Sequence, residues 1–217
     1  MGNNVEPKVI DNLDNVVDLC EFKPNAYYKF VALVRKKDGN ETIKTRERKE
    51  AIIKTWLIDN LDYFKQVRED MLSLVRTTGC RIYMTVDRKD VLKTFIQARQ
   101  YIDSQIDLAL FSKEKDLTFS VKALNKMMSS VTSLKESSDR DCKRWLFDID
   151  TKDMEVVDKV KKICGEHLLK VIETKNGYHI VANKKFHACI DMLINDNIHE
   201  VVEIKDNALV LLAYLYK

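Results

Sequence analysis

The sequence predicts an α+β protein of two lobes, in which the C-terminal lobe is built on an antiparallel sheet. Short apolar strands alternate with amphipathic helices after residue 141, whereas helical spacing of apolar residues dominates the chain before it. The polar segment 136–141 (ESSDRD) separates the two patterns, so we expect lobes at residues 1–140 and 141–217. The chain has 217 residues, of which 45% are hydrophobic and only 5 are Gly and 2 Pro, and this composition excludes collagen-like and broadly disordered classes.

The N-terminal lobe is predicted to combine several helices with a few strands. Aromatic and β-branched residues indicate a strand over 27–35, and the turn pair Asp38-Gly39 predicts a returning hairpin partner over 41–45. Apolar residues with a period of about 3.6 predict a helix over 46–77, which Gly79 ends. The other predicted elements are a helix over 11–20, a strand over 81–86, a helix over 88–103 capped by Asp87, and a helix over 120–134.

The C-terminal lobe shows the clearest alternation of strands and helices. Strands are predicted over 144–150, 168–174, 178–182 and 200–205, with helices over 152–164 and 184–194 and a last strand over 209–216. Asn176-Gly177 is a hairpin turn between the second and third strands. The order β-α-β-β-α-β is typical of a ferredoxin-like or RRM-like sheet, here with one extra strand at the end.

Charge and cysteine content narrow the classes of function. The 37 Lys and Arg against 34 Asp and Glu leave a net charge of +3, which permits a nucleic-acid partner without requiring one. The 5 cysteines stand singly, without the paired spacing of a zinc site, and this pattern indicates reduced thiols in a cytoplasmic protein. Because no apolar run approaches the length of a membrane span, we expect no membrane partner.

The first candidate site is the pair Asp148 and Asp150, at the end of the strand RWLFDID. Side chains alternate along a strand, so the two carboxylates share one face while Phe147 and Ile149 occupy the other. Paired carboxylates can hold the divalent cations that phosphoryl and nucleotidyl transfer use. The alternative interpretation is a solvated acidic turn before a helix.

Two further candidates follow in the same lobe. Lys175 lies in the Asn-Gly hairpin and His179 in the strand after it, where an ammonium and an imidazole donor suit phosphate oxygens. An ordinary hairpin with a solvated lysine is the alternative. Glu203 and Asp206 end a later strand, and either could supply a third acid. Strand alternation alone does not choose between them, and we favour Asp206 because a short acid at a strand end loses less side-chain entropy.

The order of these motifs resembles that of the archaeo-eukaryotic primase superfamily, which includes the primase-polymerases. The family's first motif, hhhDhD/E, is matched by WLFDID at 145–150, and its small-x-His motif by Gly177-Tyr178-His179. Its third motif, an acid after a hydrophobic strand, is matched by Asp206 or less well by Glu203. The motifs cover residues 142–217, and Gly177 departs from the serine that is common at the small position.

The resemblance implies a template-directed nucleotidyltransferase that uses two Mg²⁺ or Mn²⁺ ions. The implied metal ligands and catalytic residues are Asp148, Asp150 and Asp206. The implied nucleotide-binding residues are His179 and Lys175, with Arg81 and Arg144 as weaker candidates. The substrates would be nucleoside triphosphates and a single-stranded DNA or RNA template.

The template would meet the basic segment 35–54, within which Arg46, Arg48 and Lys49 are the candidate contacts. Because the sequence contains no phosphate-binding loop of the helicase type, any helicase would be a separate partner. Should a phage or virus encode the chain, it would act in the host cytoplasm. The alternatives are a metal-dependent nuclease that shares the acids, and a non-catalytic, degenerate primase-like accessory protein that binds nucleic acid.

Overall fold

The computed structural model describes residues 8–38, 50–111, 118–183 and 190–216. The strands are β1 (Lys8–Asp11), β2 (Ala26–Arg35), β3 (Glu50–Ile58), β4 (Arg81–Thr85), β5 (Lys89–Asp90), β6 (Trp145–Ile149), β7 (Leu168–Glu173), β8 (Tyr178–Ala182), β9 (Val202–Asp206) and β10 (Leu209–Tyr216). The α-helices are α1 (Asn15–Leu19), α2 (Leu61–Thr78), α3 (Val91–Phe111), α4 (Thr118–Val131), α5 (Met154–Cys164) and α6 (Ile190–Asn195). The protein is therefore of mixed α and β structure with antiparallel sheets, as the sequence predicts.

The first sheet has the strand order β1-β10-β4-β2-β3, and the short β5 pairs with β2. Its main core lies under α2, where Phe64, Met71 and Val75 meet strand residues such as Phe30 and Met84. Burying large apolar side chains of this kind contributes roughly 1.5–3 kcal/mol each. This core extends into the second half of the chain, because Leu146 and Val181 belong to it as well.

The predicted helix over 46–77 is wrong in its first part. Residues 50–58 form β3, which pairs antiparallel with β2 from Tyr28–Ile58 to Arg35–Glu50. The helix α2 begins only after Asn60, whose side-chain oxygen accepts the Tyr63 N–H at 2.8 Å and so caps it. Gly79 ends α2 as predicted, with a left-handed φ of 64°. The predicted hairpin partner at 41–45 lies outside the described residues.

The helix predicted over 88–103 begins later and runs further. Lys89 and Asp90 pair with β2, and α3 extends from Val91 to Phe111. Asp87 does not cap it, because its carboxylate is buried and accepts the Arg144 N–H at 2.7 Å. Asp90 does accept a first-turn N–H, that of Lys93, at 2.8 Å.

The second sheet has the strand order β7-β8-β6-β9, and all its neighbours are antiparallel. One face buries Phe147, Ile149 and Ile180 against Val157 and Val160 of α5. The opposite face turns toward the first sheet. The alternation predicted for β6 is confirmed on this point, since Phe147 and Ile149 share the helix-covered face and Asp148 lies on the other.

The sequence predicts the last strand, β10, as an extra strand of the second sheet, but β10 does not join that sheet. Instead β10 lies inside the first sheet, between β1 and β4. The chain leaves β9 through Asn207, which adopts a left-handed φ of 48°, and crosses to the other sheet. Apart from β10, the strands of the first sheet precede residue 141 and those of the second sheet follow it. The two sheets face each other across a cleft. Within the described residues, no helix has the length and apolar character of a membrane span.

Candidate functional site

A cleft of about 490 Å³ lies between the two sheets. The first sheet lines it with Leu33, Arg35, Arg81, Tyr83, Leu209 and Leu211, and the second sheet with Asp148, His179, Glu203, Lys205 and Asp206. Asp150 and Lys175 lie at its edge, beyond the ends of their strands. The cleft therefore gathers seven of the eight described site residues that the sequence singled out, Glu203 included. Arg144 is the exception, and Arg46, Arg48 and Lys49 lie outside the described residues.

Asp148 has a candidate residue beside it on each neighbouring strand. In the register of the sheet its Cα partners are His179 of β8 and Glu203 of β9. Directly opposite residues on antiparallel strands present their side chains to the same face at about 4.5–5.5 Å. The second sheet thus carries a row of Glu203, Asp148 and His179 on the face that lines the cleft.

His179 is buried and held by both of its ring nitrogens. Its Nδ1 accepts the backbone N–H of Leu211 at 3.1 Å, across the cleft from β10. The proton is therefore assigned to Nε2, which lies 3.3 Å from Asp148 Oδ1. The hydrogen bond from His179, with a second from Lys205, holds the pKa of the Asp148 carboxyl far below its usual range. Asp148 is thus ionised at neutral pH.

Lys205 was not singled out from the sequence, yet it contacts both acids of this row, which we call the acidic row. Its Nζ is 2.6 Å from Asp148 Oδ2 and 2.9 Å from Glu203 Oε2. Burial lowers the pKa of this lysine, but its bonds to the two carboxylates outweigh burial, and the net shift is upward. The sequence shows a lysine between Glu203 and Asp206 near the end of a strand. Only the pairing of β9 with β6 reveals that this lysine bridges Glu203 and Asp148.

Gly177 is packed against the end of the first motif. A Cβ at this position would lie 1.8 Å from the Ile149 carbonyl oxygen and 2.9 Å from the Thr151 nitrogen. The hairpin is further fixed by Thr174, whose Oγ1 accepts the Gly177 N–H at 3.1 Å. The small residue of the motif is therefore needed here for close approach of two backbones, which sets His179 beside Asp148.

The two candidates for a third acid lie in different surroundings. Glu203 is opposite Asp148, whereas Asp206 is opposite Trp145 and so belongs to the alternate position of β9. Asp206 lines the cleft but forms an ion pair with Lys135 and lies 3.8 Å from Lys143 Nζ. The hydrogen bond from Lys135 lowers the pKa of Asp206. The register thus favours Glu203 over Asp206, the reverse of the preference drawn from the sequence.

The three predicted phosphate-binding cations, Arg81, Lys175 and Arg144, differ in their positions and in their contacts. Arg81 lines the cleft, but its guanidinium forms a two-point contact with Asp38, at 2.8 Å from Nε and 2.6 Å from Nη2. Lys175 lies at the cleft edge in the hairpin. Arg144 is buried beside the end of α1 and the residue after β4, where it donates to the carbonyl oxygens of Leu19 and Val86. This placement gives Arg144 a structural contact and puts it outside the cleft.

The fit of a divalent cation can be judged from the acidic row itself. Across the described part of the chain, no three His, Cys, Asp or Glu side chains are gathered closely enough to form a ready metal site. However, oxygens of Asp148 and Glu203 already converge on one cation, the Lys205 ammonium. Carboxylate oxygens are the ligands that Mg²⁺ and Mn²⁺ prefer, so this donor set fits such an ion once Lys205 withdraws.

Comparison of the chain with models of protein families, with curated proteins and with solved structures gives no match in any of the three. The interpretation of the cleft therefore depends on the motifs and on the geometry described above.

Proposed function

We propose that the protein is a template-directed nucleotidyltransferase of the primase or primase-polymerase type, with its active site on an RRM-like second sheet. The element order β-α-β-β-α-β and the strand order β7-β8-β6-β9 support the RRM-like assignment. The observation that carries the proposal is the row of Glu203, Asp148 and His179 on three adjacent strands. It unites an acid of the first motif, the histidine of the second and an acid of the third on one face of a cleft.

Asp148 and Asp150, with Glu203 or Asp206, would hold Mg²⁺ or Mn²⁺. Such ions, when bound, lower the pKa of an attacking hydroxyl and neutralise charge on a triphosphate. Two ions of this kind need several anionic oxygens within reach, and β6, the residue after it and β9 supply four carboxylates around the cleft. Asp148 is ionised without help from any ion, because His179 and Lys205 stabilise its charge.

The remaining cleft residues would bind and orient the nucleotide. His179 keeps a proton on Nε2 because Leu211 donates to Nδ1, and this leaves one defined N–H for a phosphate oxygen or for Asp148. Lys175, at the edge, adds a positive charge on a flexible side chain. The apolar residues Leu209 and Leu211 form the opposite wall, where they would exclude water from the phosphates.

Incorporation of labelled nucleotides on single-stranded DNA and RNA templates, with and without a primer, tests this proposal. We expect Mg²⁺- or Mn²⁺-dependent extension that Asp148→Asn and Asp150→Asn each abolish. Asp158→Asn is the matched control, since Asp158 is an exposed acid of α5 that pairs with Lys161. Absence of incorporation in every condition, with wild-type folding, would refute the proposal. Mg²⁺-dependent shortening of a labelled strand would identify a nuclease instead.

One observation favours a second candidate, a non-catalytic primase-like protein that binds nucleic acid. Lys205 neutralises the acidic row, and Asp38 neutralises Arg81 on the facing sheet. A site whose charges are paired internally in this way suits a degenerate enzyme that has kept the fold. Template binding without incorporation, insensitive to Asp148→Asn, would support this candidate.

A further inference from the structure

Helix α3 carries an apolar stripe that faces solvent. With 100° between successive residues, six apolar side chains fall within an arc of about 120° along the helix. Their exposed fractions range from 36 to 72%. The six are Leu92, Phe95, Ile96, Ile102, Ile106 and Leu110. Contiguous exposed apolar residues of this kind mark an interaction surface on a folded protein.

The packing of α3 in the monomer does not explain the stripe, because the helix uses another face for it. Thr94 and Ala98 are the buried residues of α3, and Tyr101 donates to the Ala123 carbonyl of α4 on the same side. The face next to that contact is polar, with Lys93, Gln97, Gln100 and Ser104. The apolar stripe is therefore a separate third face. None of its residues lines the cleft, so its role is independent of the proposed function.

The two charges within the stripe indicate what covers it. Arg99 and Asp103 lie one turn apart, are 86% and 61% exposed, and approach each other only to 3.8 Å. If a second α3 packed in parallel and in register, it would place like charges opposite each other. An antiparallel copy would place Arg99 opposite Asp103 of the second copy, and the reverse by symmetry.

Four of the six apolar residues obey the same symmetry. A two-fold axis on the stripe side of α3, at the level of residue 101 along the helix, pairs Leu92 with Leu110 of the second copy, and Ile96 with Ile106. One axis thus pairs both charges and four of the six apolar side chains. We propose that α3 is a self-association surface, on which a second copy of this chain packs antiparallel through the apolar stripe.

The strength of this association follows from its size. Leu92 and Leu110 are 18 residues apart, and at 1.5 Å per residue the stripe is about 27 Å long. One helix pair of this length buries less than the roughly 800 Å² per partner of a standard interface. We therefore expect a weak dimer with a dissociation constant in the micromolar range.

Sedimentation velocity of the full chain across the micromolar range measures the association directly. We expect a concentration-dependent dimer that Ile106→Glu converts to a monomer. Leu108→Glu is the matched control, because Leu108 is 56% exposed on the same helix but points away from the stripe. Far-UV circular dichroism would verify that each variant is folded.

A charge exchange tests the orientation. Arg99→Asp would place Asp opposite Asp103 of the second copy and weaken the dimer at least several-fold, and the double variant R99D/D103R would restore it. A wild-type chain that stays monomeric throughout the range would overturn the proposal, as would a dimer that Ile106→Glu leaves intact. Failure of the double exchange to restore a dimer lost in Arg99→Asp would overturn the antiparallel arrangement. None of these readouts depends on nucleotide incorporation.

Discussion

Replacing Gly177 with alanine tests directly whether the hairpin must approach β6 to build the site. The new Cβ would lie 1.8 Å from the Ile149 carbonyl oxygen, whereas folded proteins essentially never hold a Cβ closer than 3.0 Å to another heavy atom. The hairpin must therefore move away from β6 by at least about 1.2 Å. If β8 moves with the hairpin by this amount directly away from β6, the distance from His179 Nε2 to Asp148 Oδ1 grows from 3.3 Å to about 4.5 Å, beyond hydrogen-bonding distance.

We expect Gly177→Ala to lower the free energy of unfolding in urea by about 1–3 kcal/mol, the usual cost of overpacking, and to abolish incorporation. Gly177→Ser should behave at least as badly, although serine is common at this position of the resembling family. The matched control is Gly79→Ala, where nothing lies within 4 Å and only the φ of 64° opposes a side chain. It should cost about 1–2 kcal/mol and leave incorporation intact. Wild-type stability and incorporation in Gly177→Ala would refute the reasoning.

Three other predictions concern the acidic row. Lys205→Met removes the cation that competes for the two carboxylates, so Mn²⁺ measured by isothermal titration should bind several-fold tighter; unchanged or weaker binding would contradict this role. Glu203→Gln should weaken Mn²⁺ binding more than Asp206→Asn, and the opposite order would restore the preference drawn from the sequence. The lowered pKa of Asp148 stabilises the fold above the unfolded-state value of about 3.9, and this contribution is lost as pH falls below it. Asp148→Asn should therefore make the free energy of unfolding less dependent on pH between about 5 and 2. An unchanged pH dependence in this range would argue against the hydrogen bonds from His179 and Lys205 to Asp148.

Local patterns in the sequence were sufficient for the strand that carries the first motif. The alternation of β6 predicted which side Asp148 takes, because one face of the strand is covered by α5 and a single slip would bury the carboxylate. Gly79 likewise predicted the end of α2, since a left-handed residue at a helix end depends only on its own backbone. Both predictions depend on residues within one element.

The predictions that failed all required a partner distant in sequence. Leu57 fits the helical period of the residues after it, but it is 37% exposed on β3, which is held by its pairing with β2. For β10 the sequence indicated the strand itself, but the prediction added it to the second sheet, whereas it pairs with β1 and β4 of the first. The choice between Glu203 and Asp206 has the same origin, because it depends on the register of β9 against β6, which alternation within β9 does not determine.

The most consequential of these distant partners is Leu211. It precedes a shift in the register of β10 against β4, and its N–H donates to the His179 ring instead of to the neighbouring strand. Without that donor Nδ1 could carry the proton, and the imidazole would offer Asp148 a lone pair in place of an N–H. A strand of the first sheet thus sets the tautomer of a histidine in the second sheet, and through its hydrogen bond lowers the pKa of Asp148. The candidate site consequently belongs to both sheets, and the C-terminal strand that crosses between them is the element that makes it one site.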